Sequence, residues 1–399
     1  MKKLQTMIFT VSVVLLAFSS VCFADTFTNR QTKEVLHGYA TSQTEGGKTI
    51  VHTQEKGKVL LNPAEWDVVA DRLGRNNEVI VLTLDDQIAL EIETRAMEQA
   101  IVKASDDGPL YILLEIDTPG GRTDLAQRIC AAIIEAGNCQ VIAFIKGGKY
   151  GGAISAGAAV ALACDKVYMA DNTVIGAATM ITVSNTGPKD LKETYGEAVG
   201  EKFSSIWRAY LASLAEQNGR PGLLARAMVD KDIEAIEVAE AEKRLFIEPV
   251  NKRPNQRIVH TWSEKGSLLT LTAAEAVKCE IADKIVNSRQ ELLRDLGAEG
   301  AEIVINDDIQ KAGKELKRAK LRVGKLSKSL DLKIKQIGYA PPMPKALKIL
   351  RNAKSDYKTL ITLAKRYPDL YINIQFLEEQ LNSVEAVYQE AKMQRKMRK

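Results

Sequence analysis

The chain has 399 residues, 45% of them hydrophobic and 27% charged, and its formal net charge is +4. It is too long for one average domain and has the composition of an ordinary globular protein with at least one sizeable core. Beyond the N-terminal segment no stretch offers about 18 uncharged apolar residues, which excludes further membrane spans.

The first 24 residues have the layout of a secretory signal peptide. Lys2 and Lys3 precede an apolar run from Met7 to Phe18, and small residues follow up to Ala24. This order of a basic, an apolar and a small-residue region predicts cleavage after Ala24 and export to the periplasm or the extracellular space. The alternative is an uncleaved leader that anchors the protein at a membrane.

Four cysteines follow the leader, at Cys130, Cys139, Cys164 and Cys279. They lie in apolar surroundings without a CxxC spacing, which argues against zinc and favours buried thiols. We therefore predict neither a metal nor a cofactor. Disulfide pairing is the alternative for an exported protein.

Residues 25–75 carry short β-type runs separated by glycine-containing turns. The runs are Glu34–Thr41, Lys48–Thr53 and Lys58–Leu61. Their length and spacing predict a small N-terminal β module.

Residues 76–300 alternate between apolar strands and helices. The strand candidates are Glu78–Leu84, Leu110–Ile116, Gln140–Ile145 and Lys166–Met169. The helix candidates are Ile88–Lys103, Arg122–Glu135 and Ile154–Cys164. Continuous apolar strands that alternate with helices predict an α/β layer structure with buried strands.

Residues 301–399 differ from the rest in charge and in pattern. They contain 22 Lys and Arg against 11 Asp and Glu, whereas residues 1–300 contain 33 against 40. A seven-residue apolar repeat runs from Ile309 to Ile337, and a second apolar repeat runs from Leu370 to Ala391. Pro341 and Pro342 separate the two helices. We predict a basic helical tail, with a coiled-coil-like hairpin, that begins near residue 300.

The segment Asp117-Thr118-Pro119-Gly120-Gly121 follows a buried strand and precedes a helix. Two glycines at this point allow close approach of a ligand and can direct main-chain N–H groups outward, as in an anion or oxyanion cradle. A plain turn is the alternative.

A second glycine-rich segment, residues 146–152, leads to Ser155 at the start of a helix of small residues. The N–H of Ala156 would lie near the serine hydroxyl, and the helix N-terminus would favour developing negative charge. The alternative is that Ser155 only caps the helix.

Taken in order, these segments resemble a known family. Residues 78–298 resemble the Clp protease/crotonase superfamily, specifically its NfeD-type serine peptidases, with signal-peptide peptidase A as a more distant relative. The matching segments include Glu115–Gly121, Ile154–Gly157, Asp165–Ala170, Ile175–Ala178 and Leu269–Ala276. The resemblance implies a Clp/crotonase-like fold, Ser155 as nucleophile, oxyanion donors at Gly120, Gly121 and Ala156, and a homo-oligomer.

The assignment of the general base depends on the same resemblance, because NfeD-type peptidases resemble enzymes that use a Ser-Lys dyad. Histidine occurs only at His37, His52 and His260, outside the segment between Ser155 and the helices after it. These positions argue against a Ser-His-Asp triad. Alignment of residues 201–216 with the family's helix after the serine puts Lys202 at the lysine position.

Lys202 would lie beside an apolar stripe of Phe203, Ile206, Tyr210 and Leu214 on one side of this helix. Partial desolvation there would suit its amine to act as a general base. Lys192 and Lys231 are the alternatives.

The sequence thus predicts an exported serine endopeptidase that acts on a protein or peptide substrate. The alternatives are a non-catalytic scaffold or adaptor that acts through its helical tail, and crotonase-type acyl-CoA chemistry, which export disfavours. Because the tail lacks interleaved aromatic clusters, we expect contact with an anionic surface or a protein rather than with nucleic acid. Deletion of residues 301–399 is expected to leave cleavage intact.

Overall fold

The structure, a computed structural model, describes residues 25–397 apart from 54, 70–75, 138, 185–186 and 241–242. The predicted leader lies outside the described residues. The chain forms two compact units. One contains the residues up to Asp86 together with Ile101–Gly120 and Cys130–Ile305, and the other contains Gln87–Ala100, Gly121–Ile129 and Asn306–Lys399.

The first unit begins with a five-stranded antiparallel sheet in the order β4-β3-β2-β1-β5. The strands are β1 (Asp25–Asn29), β2 (Val35–Glu45), β3 (Lys48–Thr53), β4 (Gly57–Leu61) and β5 (Trp66–Val69). Phe27, Leu36, Val51 and Leu61 form its small core. The three predicted β runs correspond to β2, β3 and β4.

A six-stranded parallel sheet forms the centre of the first unit, in the order β18-β10-β8-β7-β6-β19. The strands are β6 (Asn76–Leu84), β7 (Pro109–Ile116), β8 (Gln140–Ile145), β10 (Lys166–Met169), β18 (Lys284–Ile285) and β19 (Glu302–Ile305). The sequence predicted four of them, because strands covered on both faces read as continuous apolar runs. Their core includes Val81, Leu113, Ile142 and Tyr168.

Three predicted helices are also confirmed, as α1 (Glu91–Asp107), α2 (Thr123–Glu135) and α3 (Ala156–Ala163). The α/β fold class is therefore correct. The parallel sheet continues past residue 300, because β19 pairs in parallel with β6 as far as Ile305.

Shorter elements complete the first unit. The strands β9 (Gly152–Ile154), β11 (Val174–Gly176) and β17 (Thr270–Thr272) form one sheet, β12 (Ile181–Ser184) and β13 (Gly187–Asp190) a hairpin, and β14 (Ala235–Glu240), β15 (Lys243–Ile247) and β16 (Arg257–Ser263) another sheet. The helices are α4 (Leu191–Tyr195), α5 (Glu197–Gln217), α6 (Gly222–Ala227), α7 (Ala273–Lys278) and α8 (Arg289–Asp295), with a 3-10 helix at Pro249–Asn251.

The second unit ends in three helices, α9 (Asp308–Gly338), α10 (Met343–Arg366) and α11 (Ile374–Met397). Their shared core contains Leu330, Ala353, Tyr357, Leu360, Ile361 and Leu377. A helical C-terminal region is confirmed, and Pro341 and Pro342 separate α9 from α10 as predicted. The two apolar repeats did not predict α10, and Leu370 lies in a 3-10 helix, Pro368–Leu370, instead of in α11.

Three cysteines of the first unit, Cys130, Cys164 and Cys279, are buried free thiols, as the favoured interpretation predicted. Burial raises the pKa of the Cys130 and Cys279 thiols to about 12. These two thiols therefore remain protonated and unreactive near neutral pH.

Candidate active site

Ser155 lies between β9 and α3 in a main-chain conformation that few non-glycine residues adopt. Its φ is 56° and its ψ is −123°, and its side chain makes no capping hydrogen bond to α3. The Ser155 N–H donates to the carbonyl of Gly176 at 2.8 Å. Such main-chain strain persists only where the surrounding structure enforces it, often at functional sites. The side chain of Ser155 therefore does not cap α3.

The helix after Ser155 packs tightly because its residues are small. Every residue of α3 is buried. A Cβ atom added to Gly157 would lie 2.4 Å from Cγ2 of Thr118, which is closer than two carbon atoms can approach. Glycine at this position therefore lets the first turn of α3 touch the loop that follows β7.

That loop and the nucleophile turn are joined through their main chains. The Thr118 N–H donates to the Gly152 carbonyl at 2.8 Å, and the Ile154 N–H donates to the Thr118 carbonyl at 3.0 Å. A Cβ atom added to Gly120, whose φ is +91°, would lie 2.5 Å from Cβ of Ser155. The structure thus brings together Gly120, Ser155 and Ala156, which the sequence placed in two separate motifs.

Asp117 and Thr118 fix the shape of this contact. The carboxylate of Asp117 is only 3% exposed and accepts hydrogen bonds from the N–H groups of Tyr150 and Gly152, each at 3.1 Å. The Thr118 hydroxyl donates to the Asp86 carbonyl at 2.8 Å and accepts from the Gly120 N–H at 3.1 Å. The two side chains therefore hold the glycine-rich turn and the Gly120 loop together.

Asp117 and Thr118 lie in the predicted oxyanion motif, but only its glycines had a predicted role. Their position in the sequence could have indicated a role. A carboxylate and a hydroxyl that lie between a buried strand and two glycines must find main-chain hydrogen-bond partners.

The three predicted oxyanion residues differ in what their N–H groups do. The Gly120 N–H donates to the Thr118 hydroxyl, so this N–H is already used. Gly120 matters at this site because it has no side chain. The Ala156 N–H, in the first turn of α3, has no acceptor within the described part of the chain. First-turn N–H groups of a helix attract negative charge.

Gly121 is held within the second unit. It forms an isolated parallel bridge with Ile88, and an added Cβ atom would lie 2.1 Å from the Ile88 carbonyl oxygen. The next residue, Arg122, donates its N–H to the same carbonyl at 2.8 Å. Only glycine fits at this position, and its φ of +154° lies in the range that favours glycine.

Lys202 lies near the start of α5 and its side chain is exposed. Within the residues that the structure describes, its amine makes no hydrogen bond or ion pair, so Ser155 and Lys202 are not in hydrogen-bond contact. The predicted partial desolvation of this amine is therefore absent in this state.

The predicted apolar stripe beside Lys202 is also partly wrong. Phe203 and Ile206 are 46% and 54% exposed, whereas Leu214 is buried. The buried face of α5 instead contains Gly200, Trp207, Leu211, Ala212, Leu214 and Ala215. The indole N–H of Trp207 donates to the Ala178 carbonyl at 3.0 Å, which fixes that face inward.

The alternative lysines differ from Lys202 in their surroundings. Lys192 forms ion pairs with Glu197 at 2.9 Å and Glu201 at 3.1 Å. Hydrogen bonds to Glu197 and then Glu201 raise the pKa of Lys192 above its ordinary value, which makes it a poorer base. Lys231 is exposed.

Residues 78–256 match the family model described as NfeD1b, N-terminal domain. Both Ser155 and Lys202 fall within this range.

Two curated proteins are similar to about half of this chain. Membrane protein NfeD1b of Bacillus subtilis is 29% identical over 207 residues, which is 52% of this chain and 38% of that protein. Membrane-bound protease PH1510 of Pyrococcus horikoshii is 28% identical over 199 residues, which is 50% of this chain and 43% of that protein. The chain thus spans less than half the length of these relatives.

Solved structures of a 1510-N membrane-bound stomatin-specific protease are also similar. A serine-to-alanine mutant matches with 23% identity and a TM-score of 0.43, over 58% of this chain and 98% of that chain. A lysine-to-alanine mutant in complex with a substrate peptide matches with 25% identity and a TM-score of 0.40, over 55% and 80%.

No described helix combines the length and apolar character needed to cross a membrane. No group of three or more His, Cys, Asp or Glu side chains in the described ranges is placed to hold a metal ion.

Proposed function

We propose that the chain is an exported serine endopeptidase in which Ser155 is the nucleophile and Lys202 the general base. The main observation in support is the strained turn at Ser155, which Gly120 and the first turn of α3 contact directly. A relative that is named a protease matches 50% of the chain, and the matching family model covers residues 78–256, which include Ser155 and Lys202. This relative favours the proposed function over a non-catalytic scaffold.

The proposed reaction begins when neutral Lys202 takes the proton of the Ser155 hydroxyl. The Ser155 oxygen attacks a peptide carbonyl, and the carbonyl oxygen becomes an oxyanion bound by the N–H group of Ala156. Collapse of this intermediate expels the amine, which takes up the proton, and leaves an acyl-enzyme. Water then hydrolyses the ester and regenerates Ser155.

The position of Lys202 adds a condition to this mechanism. Because its amine is exposed and makes no contact with Ser155, we infer that the dyad forms only when substrate binds. Catalytic hydrogen bonds are often absent or long before substrate arrives. Lys202 also carries no ion pair within the described chain, unlike Lys192, so no carboxylate competes for its amine.

The test compares casein cleavage by the parent chain with that by three variants, Ser155→Ala, Lys202→Ala and Lys231→Ala. Lys231 is the matched control, because it is also an exposed lysine of the first unit. We expect Ser155→Ala and Lys202→Ala to lose cleavage and Lys231→Ala to retain it. A parent that cleaves no casein or other unfolded protein would contradict the peptidase assignment, and loss in Lys231→Ala instead of Lys202→Ala would reassign the base.

A further inference from the structure

A cleft of about 560 Å³ lies between the beginning of α10 and the end of α11. Its lining contains Pro344, Leu347 and Tyr388 and five cations. The cations are Lys348, Arg351, Lys392, Arg395 and Lys396. Five positive charges around one cleft of this size repel one another, so an anion in the cleft would be strongly favoured.

No carboxylate neutralises these cations within the described residues, since none of the five has an ion-pair partner. Farther along the same two helices two cations are paired with carboxylates, Lys354 with Glu385 and Lys365 with Glu378. Glu390 lies two positions from Tyr388, which places it about 200° around α11 from the cleft. The unpaired charge is thus concentrated at one end of the helix pair.

Exposed methionines lie beside this charge. Met393 and Met397, one turn apart on α11, are 61% and 85% exposed. A helix end that combines lysine and arginine with exposed apolar side chains suits the boundary between lipid headgroups and acyl chains. A soluble phosphate compound would use the cations but would leave both methionines in water.

The same residues fit a nucleic acid less well. Single-stranded nucleic acid binds across several aromatic side chains on which its bases stack. The cleft contains one aromatic ring, Tyr388, and the amine of Lys354 already lies 5.7 Å from its centre.

We propose that this cleft binds the phosphate groups of anionic phospholipids and holds the protein on a membrane surface. The cations contact the phosphates, while Met393 and Met397 enter the boundary layer. This contact requires no membrane-spanning helix, and it does not depend on the peptidase mechanism. It would keep the first unit close to substrates at that surface.

The test measures co-sedimentation of the full chain with vesicles of phosphatidylcholine, with and without phosphatidylglycerol. Any contribution of the apolar segment Met7–Phe18 is common to all variants and is not specific for the anionic lipid. The double variant Lys392→Gln/Arg395→Gln removes two cleft cations. The control Lys317→Gln/Lys320→Gln removes two exposed cations of α9 at the same spacing and leaves the net charge equal.

We expect the parent and the control to bind phosphatidylglycerol vesicles in preference to pure phosphatidylcholine. The cleft variant should bind the anionic vesicles about thirtyfold more weakly than the parent, because each basic residue near such a surface contributes about a fivefold factor. The double variant Met393→Asn/Met397→Asn should also bind more weakly, although it keeps every cation.

Three results would overturn the proposal. The first is equal binding of the parent to both kinds of vesicle, and the second is an equal loss in the cleft variant and the α9 control. The third is stabilisation by inorganic pyrophosphate or an oligonucleotide without preferential vesicle binding, which would assign the cleft to a soluble ligand.

Discussion

Asp369 caps the helix that begins at Glu91, although 278 positions separate the two residues. Its carboxylate accepts hydrogen bonds from the N–H groups of Glu91 at 2.8 Å and Ile92 at 3.0 Å. Asp369 is only 2% exposed, and it lies in the 3-10 helix Pro368–Leu370 of the second unit. The C-terminal residues therefore complete α1, near the point where Ile88 holds Gly121.

Replacement of this cap is the first prediction. Asp369→Ala should lower the free energy of unfolding by about 1–2 kcal/mol, whereas Asp369→Asn should lower it less, since asparagine also caps helices. Hydrogen exchange should become faster at the N–H groups of Glu91, Ile92 and Arg122. Asp356→Ala, which removes an ion pair with Lys333 on α9, is the control and should leave these three amides protected.

The Asp369 cap on α1 also changes the expected result of deleting residues 301–399, for which the sequence predicted intact cleavage. A chain that ends after Ile305 would lack Asp369 and the apolar partners of Leu90 and Ile92, which include Leu316 and Leu363. We expect the truncated chain to aggregate and to lose cleavage. A soluble truncated protein that cleaves casein at the parent rate would restore the expectation of an independent tail.

The sequence revealed those parts of the fold that depend on neighbouring residues. The strands β7 and β8 are continuous apolar runs, and the structure places their bounds within one residue of the predicted ones. The cap that Asp369 forms could not be predicted from neighbouring residues. No residue just before Glu91 can cap the helix, and Asp369 is remote in the chain.

The exposure of Lys202 was also beyond sequence analysis. Helix α5 carries a broad band of apolar side chains, which reaches from the exposed Ile206 and Phe203 to the buried Trp207 and Leu211. Periodicity cannot tell which edge of such a band is buried. The hydrogen bond from Trp207 to Ala178 and the tight fit of Gly200 against Lys192 decide the choice.

Gly120 supports a prediction about the nucleophile turn. Gly120→Ala would place a Cβ atom 2.5 Å from Cβ of Ser155, so one of the two segments must move. Displacement of a catalytic group by about 1 Å can lower the rate about a hundredfold. We therefore expect the rate of cleavage to fall by at least about a hundredfold. Gly219→Ala is the control, because Gly219 also has a positive φ, +72°, but its added Cβ atom meets nothing within 4 Å.

Glu280 occupies a position that favours glycine. Its φ is +64°, and it follows Cys279, the residue that ends α7. Glu280→Gly should relieve this strain and raise the free energy of unfolding by about 0.5–1 kcal/mol. The control Glu280→Ala removes the same exposed contact with Arg244 but keeps the strain, so its urea midpoint should not rise.

Glu237 gives the final prediction, which concerns acid stability. Its carboxylate is buried and accepts hydrogen bonds from Arg244 at 2.6 Å and from the indole N–H of Trp262 at 3.1 Å. The hydrogen bond from Arg244 lowers the pKa of Glu237 below its ordinary value of 4.5, despite opposing desolvation. A carboxyl group with a lowered pKa stabilises the fold above pH 4.5, and this contribution is lost as the pH falls through the folded-state pKa.

Glu237→Gln should therefore be less stable than the parent at pH 7, by about 1–2 kcal/mol, because one charged hydrogen bond is lost. The difference between parent and variant should shrink steadily below pH 4.5, when protonation removes the same charge from the parent. Urea unfolding across this pH range measures the difference, with Glu264→Gln as a control whose carboxylate has no ion-pair partner among the described residues. A difference between parent and Glu237→Gln that stays constant from pH 7 to well below pH 4.5 would show that the charge on Glu237 does not stabilise the fold.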